Sequence, residues 1–174
     1  MFWRPERRIR FLCAPEDEGV IAPPRPAKAF LPDWFKKLAP VDKTVLGPGG
    51  NGQTVKRCMP FLDAMTTGWI IPLAATVRIE VADGGQRVTW GWEHDKPMVS
   101  EHQPYQIKGH PLAPTRPIKL HNHWTITTPP GWSCLFTAPL NRAHPHLEVI
   151  SGIVDTDRYR SPIHFPCLIT GGDG

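Results

Sequence analysis

HNHWTITTPPGWSCLFTAPLNRAHPHLEVISGIVDTD, residues 121–157, is the stretch whose reading decides the fold. It parses as a strand, a Pro129-Pro130-Gly131 corner, a buried strand over Trp132–Thr137, an irregular loop, a strand over Leu147–Val154 and an acidic turn. Just upstream the alternation begins. Ile118, Leu120, Trp124 and Ile126 fall on one side, and His121, His123 and Thr125 on the other. Downstream, Ile163–Thr170 supplies one more apolar run.

Working outward, Val77, Ile79 and Val81 alternate with Thr76, Arg78 and Glu80, in a strand running from Trp69 and interrupted at Pro72. Asp83-Gly84 signals a hairpin, and Val88, Trp90 and Trp92 continue the apolar face in the returning strand. Between His94 and Pro117 no period is visible, so a long loop with one short strand around Tyr105 is expected. Helical signals are brief. Pro32–Leu38 has Asp33 as its N-cap and Pro40 beyond it, and Pro60–Met65 is followed by Gly68. Glycines at 47–52 predict a mobile loop over Val45–Gln53, with no Gly-Lys-Ser/Thr to make it a phosphate loop.

Twenty-one prolines and fifteen glycines in 174 residues leave little room for long helices. The expected fold is therefore mainly β, an antiparallel jelly-roll or β-clip-like sandwich with one or two short helices. An extended proline-rich arm over residues 1–32, with a first strand at Arg7–Leu12, precedes a single β-rich domain over 33–174.

The net charge is +4, and Arg4, Arg7, Arg8 and Arg10 crowd the start. Such an arm can touch nucleic acid or an acidic partner, although a solvated terminus is the plainer reading. Cys13, Cys58, Cys134 and Cys167 are scattered without a Cys-x-x-Cys pair, which argues against a zinc ribbon or a disulfide scaffold. Cys134 and Cys167 lie in apolar runs and read as buried thiols. Neither a leader peptide nor a membrane span is expected, and GGDG at 171–174 reads as a hairpin turn.

Two constellations could carry chemistry. His121 and His123, at i and i+2 on a strand, could ligate a metal with His102, His110, His144 or His164. No carboxylate follows them at cupin-like spacing, so surface histidines are the simpler account. Asp155 and Asp157, beside Tyr159 and Arg160, could orient water, bind a ribose hydroxyl or chelate a cation. The structural alternative is a tight turn in which Asp155 caps amides and pairs with Arg160. Ser133 and Cys134 read as strand residues, lacking a nucleophile-elbow context. Trp90, Trp92 and Trp124 could stack a sugar or base, but at strand spacing they read as core.

The segments PDWFKKL, TVKRCMPFLDAMTTGWIIPL, TPPGWSCLFTAPLNR and SGIVDTDRYRSPIHFP resemble a family of tailed-bacteriophage proteins, including cyanophage ones, of no assigned activity. Pro129-Pro130-Gly131 and Gly152-Ile153-Val154-Asp155 also resemble paired motifs of the dUTPase and dCTP deaminase β-fold. There the first resembles the corner, and Asp155 falls at the catalytic position. Where that fold carries Gly-Arg-Ser-Ser, this chain has Pro139-Leu140-Asn141-Arg142. The first likeness implies phage origin, and the proline-rich arm, the long loops, the turn at 171–174 with no returning strand and the lack of a complete catalytic set lead to the expectation of a non-enzymatic structural or interaction protein, an oligomeric component of the virion. Its partners would be other phage structural proteins or copies of itself, in the virion or host cytoplasm, without a cofactor or membrane contact. The alternative is a nucleotide-binding or nucleotide-hydrolysing enzyme using Asp155, Tyr159 and Arg160.

Overall fold

The computed structural model describes residues 8–47, 50–111 and 117–170. In chain order the elements are β1 (Arg10–Leu12), β2 (Arg25–Pro26), α1 (Asp33–Lys37), β3 (Val41–Gly47), β4 (Gly50–Gln53), α2 (Met59–Thr66), β5 (Trp69–Ile70), β6 (Val77–Ala82) and β7 (Arg87–Trp92). They continue with β8 (Val99–Glu101), β9 (Ile118–Leu120), β10 (Thr125–Thr127), β11 (Cys134–Phe136), β12 (Leu147–Val149), β13 (Gly152–Val154) and β14 (Phe165–Ile169). The fold is mainly β, and every strand pair is antiparallel. The two α-helices among the described residues lie where the proline signals put them, but Asp33 is not an N-cap: it is the first residue of α1, Pro32 holds the cap position, and the Asp33 carboxylate accepts from Lys36 at 3.2 Å.

By contacts the chain divides into two compact units: Met1–Pro23 with Pro72–Ala138 and His144–Gly174, and Pro24–Ile71 with Pro139–Ala143. The larger unit contains a four-stranded sheet in the order β12-β14-β9-β8 and three two-stranded ribbons, β1-β10, β6-β7 and β11-β13. Its core gathers Met98, Val99, Ile118, Leu120, Cys167 and Ile169 with Val88 from β7. The β6–β7 register matches the alternation in the sequence. Val77 faces Trp92, Ile79 faces Trp90 and Val81 faces Val88, and all pack against this core. The turn puts Asp83 and Gly84 in left-handed conformation, φ 56° and 63°, which glycine adopts without steric cost and aspartate tolerates.

In the smaller unit Phe35 of α1 and Met65 of α2 are buried, with Phe61 stacked on Phe35 at 6.1 Å. Lys56 lies 4.6 Å from the Phe35 ring centroid and donates to the carbonyls of Phe35 and Lys36. Arg142 completes this unit. Its guanidinium donates to the carbonyls of Phe30 at 3.0 Å, Ala27 at 3.2 Å and Met65.

Several expectations are corrected. Val45–Gln53 is not a loop: β3 and β4 pair through it, with Gly47 opposite Gly50. Its glycines carry no side chains, so they print no alternation even when the backbone is extended. Tyr105 sits in a 3-10 turn over Pro104–Ile107, where proline presets the turn. The strand of that region is instead β8, whose Val99 is buried opposite Leu120. The proline-rich segment forms the β2 bridge and a 3-10 turn, Ala27–Phe30.

Residues 118–127 are two strands in different sheets, because Asn122 intervenes. Its side chain accepts from the Trp124 amide at 2.9 Å and donates to the Trp124 carbonyl at 2.7 Å, diverting the backbone from the ladder. The 147–154 run likewise breaks into β12 and β13, paired with β14 and β11 respectively. Cys134 is half-buried and Trp132 exposed, because the second face of the β11–β13 ribbon has no covering layer among the described residues. Cys167 is fully buried, and burial pushes its thiol up to about 12. The turn expected at 171–174, and Arg4 and Arg7, lie outside the described residues.

Candidate functional site

The Pro-Pro-Gly corner and the acidic turn meet. Gly131 has φ +81° and the Trp132 amide donates to the Pro129 carbonyl at 3.3 Å, a turn that requires a left-handed third residue. The Gly131 amide then donates to Asp157 Oδ2 at 2.8 Å, and Ser133 Oγ donates to Asp155 Oδ1 at 2.7 Å. Beneath them Thr156 is fully buried. Its hydroxyl lies 2.8 Å from that of Thr128 and donates to Cys134 Sγ at 3.3 Å. Arg160 donates to the carbonyls of Thr156 and Asp157, and the Asp155 carbonyl accepts from the amides of Arg158 and Tyr159.

This arrangement fastens the base of the β11–β13 ribbon. Both carboxylates already have donors, and Arg160 holds backbone carbonyls rather than the Asp155 carboxylate expected of it. Tyr159 is exposed, and none of its side-chain hydrogen bonds enters the turn.

Above the fastened base, Leu135 and Ile153 are direct cross-strand partners. They are 63% and 75% exposed, and Trp132, just before β11, is 54% exposed. Cross-strand apolar pairs ordinarily stabilise a sheet by packing under a second layer. Here that layer is water.

The histidines form a separate cluster. His121 stacks on His164 with ring centroids 4.2 Å apart, and its Nε2 lies 2.8 Å from Ser100 Oγ. His123 stacks instead on His94, at 5.8 Å. The i, i+2 pair is thus divided between two partners. Among the described residues no three His, Cys, Asp or Glu side chains are arranged to hold a metal ion. His110 and His144 join neither stack, and His144 Nδ1 accepts from the His146 amide at 3.2 Å.

Four of the rings, His102, His121, His123 and His164, are shifted toward the neutral form. Burial, then the neighbouring His121, Lys119 and His123, lower the His164 pKa to about 4. Burial likewise lowers His121, with His123 and Lys119 adding to it. For His123, burial outweighs the nearby Asp17 carboxylate, and His94 and Lys96 lower it further. His102 is lowered by burial and Lys119. Two charged rings ~4 Å apart would repel by roughly 1–4 kcal/mol between the bulk-water and protein-surface limits, which favours neutrality.

The remaining candidates have structural places. Trp90 and Trp92 pack against the main core, and Trp124 Nε1 donates to the Ala22 carbonyl at 3.2 Å. Arg8 and Arg10 are exposed, Arg10 on β1 opposite Thr127. Comparison of the chain with protein-family models, with curated proteins and with solved structures finds no match.

Proposed function

We propose that this chain is a phage-encoded, non-enzymatic structural protein that assembles with copies of itself, as an oligomeric component of a virion. The observation that carries the reading is the Leu135–Ile153 pair, apolar and exposed on a ribbon whose base is fastened by the corner and acidic turn. A second copy is the favoured occupant. Among the described residues neither β11 nor β13 pairs with a third strand. Two antiparallel edges related by a two-fold axis can complete each other. In this reading the ribbons and the four-stranded sheet belong to a jelly-roll or β-clip-like sandwich. The phage origin rests on the sequence resemblance alone.

The test is native mass by light scattering, with a search for the protein in purified particles by mass spectrometry. An oligomer is expected, and Ile153→Lys should shift it to monomer while the unfolding midpoint stays within about 0.5 kcal/mol of the parent, as for exposed positions. A monomer at every concentration, absent from particles, would sink the proposal.

A second reading has one observation in its favour: the corner and the aspartate turn, the two dUTPase-like motifs, are in contact. It assigns Asp155 to nucleotide hydrolysis. Thermal stabilisation by a deoxynucleotide, but not by its free base, and lost in Asp155→Asn, would establish it in place of the first.

A further inference from the structure

We propose that the His121–His164 and His94–His123 stacks are an acid-operated latch, which holds residues 10–22 onto the rest of the larger unit at neutral pH and releases them when the imidazoles take up protons. The inference does not rest on the proposed function.

Its geometry is a set of hydrogen bonds that only neutral rings can accept. His164 Nδ1 accepts from the Asn122 amide at 3.3 Å, and His94 Nδ1 from the Lys96 amide at 3.1 Å. Protonation puts a hydrogen on each acceptor and abolishes both bonds. Asn122 itself is buried, and its side chain sets the turn that carries Trp124 into β10.

Each bond adjoins a tether of the 10–22 segment. Lys96 Nζ holds the buried Asp17 at 2.6 Å and Glu16 at 3.3 Å. Trp124, next to His123, holds the Ala22 carbonyl, and β10 holds β1 through the Arg10–Thr127 to Leu12–Thr125 register. The segment therefore depends on two short stretches, 94–96 and 121–127, that the imidazoles fix.

The charged surroundings agree. Lys119 faces His102, His121 and His164, and Lys96 faces His123. The Asp17 carboxylate acts on His123 in the opposite direction. His102 Nδ1 and His123 Nε2 are buried without a partner, so added protons there would find no acceptor.

The direction in pH follows from linkage. His164 titrates at about 4 when folded, against an ordinary value of 6.5. Between these values the unfolded or released state binds more protons, so the latched state weakens as pH falls through 6.5 toward 4 and is undisturbed above 6.5.

Hydrogen–deuterium exchange of the intact chain with chelator present, corrected for the intrinsic pH dependence, reads the latch directly. From pH 7 to pH 5, peptides covering 8–23 and 121–127 should lose roughly tenfold in protection, while β6–β7 keeps its own, as expected of sub-global opening. In His94→Asn/His164→Asn each amide oxygen can replace the ring acceptor but cannot titrate, so the pH response should disappear. Loss of protection spread evenly over the unit, no loss in 8–23, or an unchanged response in the double variant would overturn the proposal. If that variant does not fold, nitrogen NMR of the parent decides. Nε2-protonated tautomers at His94 and His164 at pH 7 are expected, and Nδ1-protonated ones would refute it.

Discussion

The β6–β7 and β11–β13 ribbons are built alike and used differently. Each is a pair of antiparallel strands with apolar residues directly opposite one another. In β6–β7 those residues meet a second layer, with Val88 against Met98 and its neighbours. In β11–β13 Leu135 and Ile153 meet water, although the ribbon is anchored by Asp155, Asp157 and Thr156 at its base. An identical pattern of side chains can therefore be a core or a surface. What decides is whether another element lies across from it.

Three substitutions probe that contrast. Val88→Ala removes two buried methyl groups and should cost about 2 kcal/mol in urea unfolding followed by tryptophan fluorescence. Asp157→Ala leaves the Gly131 amide without its carboxylate acceptor, and about 1 kcal/mol should be lost in the same assay, with faster exchange at residues 129–137. Leu135→Ala should change unfolding by no more than about 0.5 kcal/mol under conditions that keep the chain monomeric. A Leu135→Ala cost equal to that of Val88→Ala would erase the distinction between the ribbons.

The β6–β7 hairpin and its apolar face were legible: alternation in two runs around Asp83-Gly84 puts Val77, Ile79, Val81, Val88, Trp90 and Trp92 on a single face. Its register was not, because a shift of two keeps the same face, and the turn takes four residues, 83–86, where Asp-Gly alone implies two. Both helices were legible for a similar local reason, the prolines at or near their first residues. The exposure of Leu135 was not, because alternation states which residues share a face and not what covers it. The break at Asn122 did have a signal: asparagine inside a supposed strand competes locally for the backbone.

At the candidate sites, Asp155 and Asp157 were visible as a turn, but their donors Ser133 and Gly131 lie 22 and 26 residues away. The histidine pair was visible at 121 and 123. Its division between His164 and His94 depends on two distant segments arriving at one place, and no spacing rule encodes that. Arg142 gave no sign of its role, since its acceptors are backbone carbonyls that every residue possesses.

That arginine bears on the order of events during synthesis. The carbonyls of Met65 and Ala27 precede it by 77 and 115 residues. At ~5–20 residues per second, a ribosome takes about 4–15 s to travel from Met65, the later of these acceptors, to Arg142. Through that interval the nascent smaller unit holds its helices and its aromatic stack without the clasp that closes them. A factor that binds this unit half-made has several seconds in which to find it, and loses its opportunity once residue 142 clears the exit tunnel.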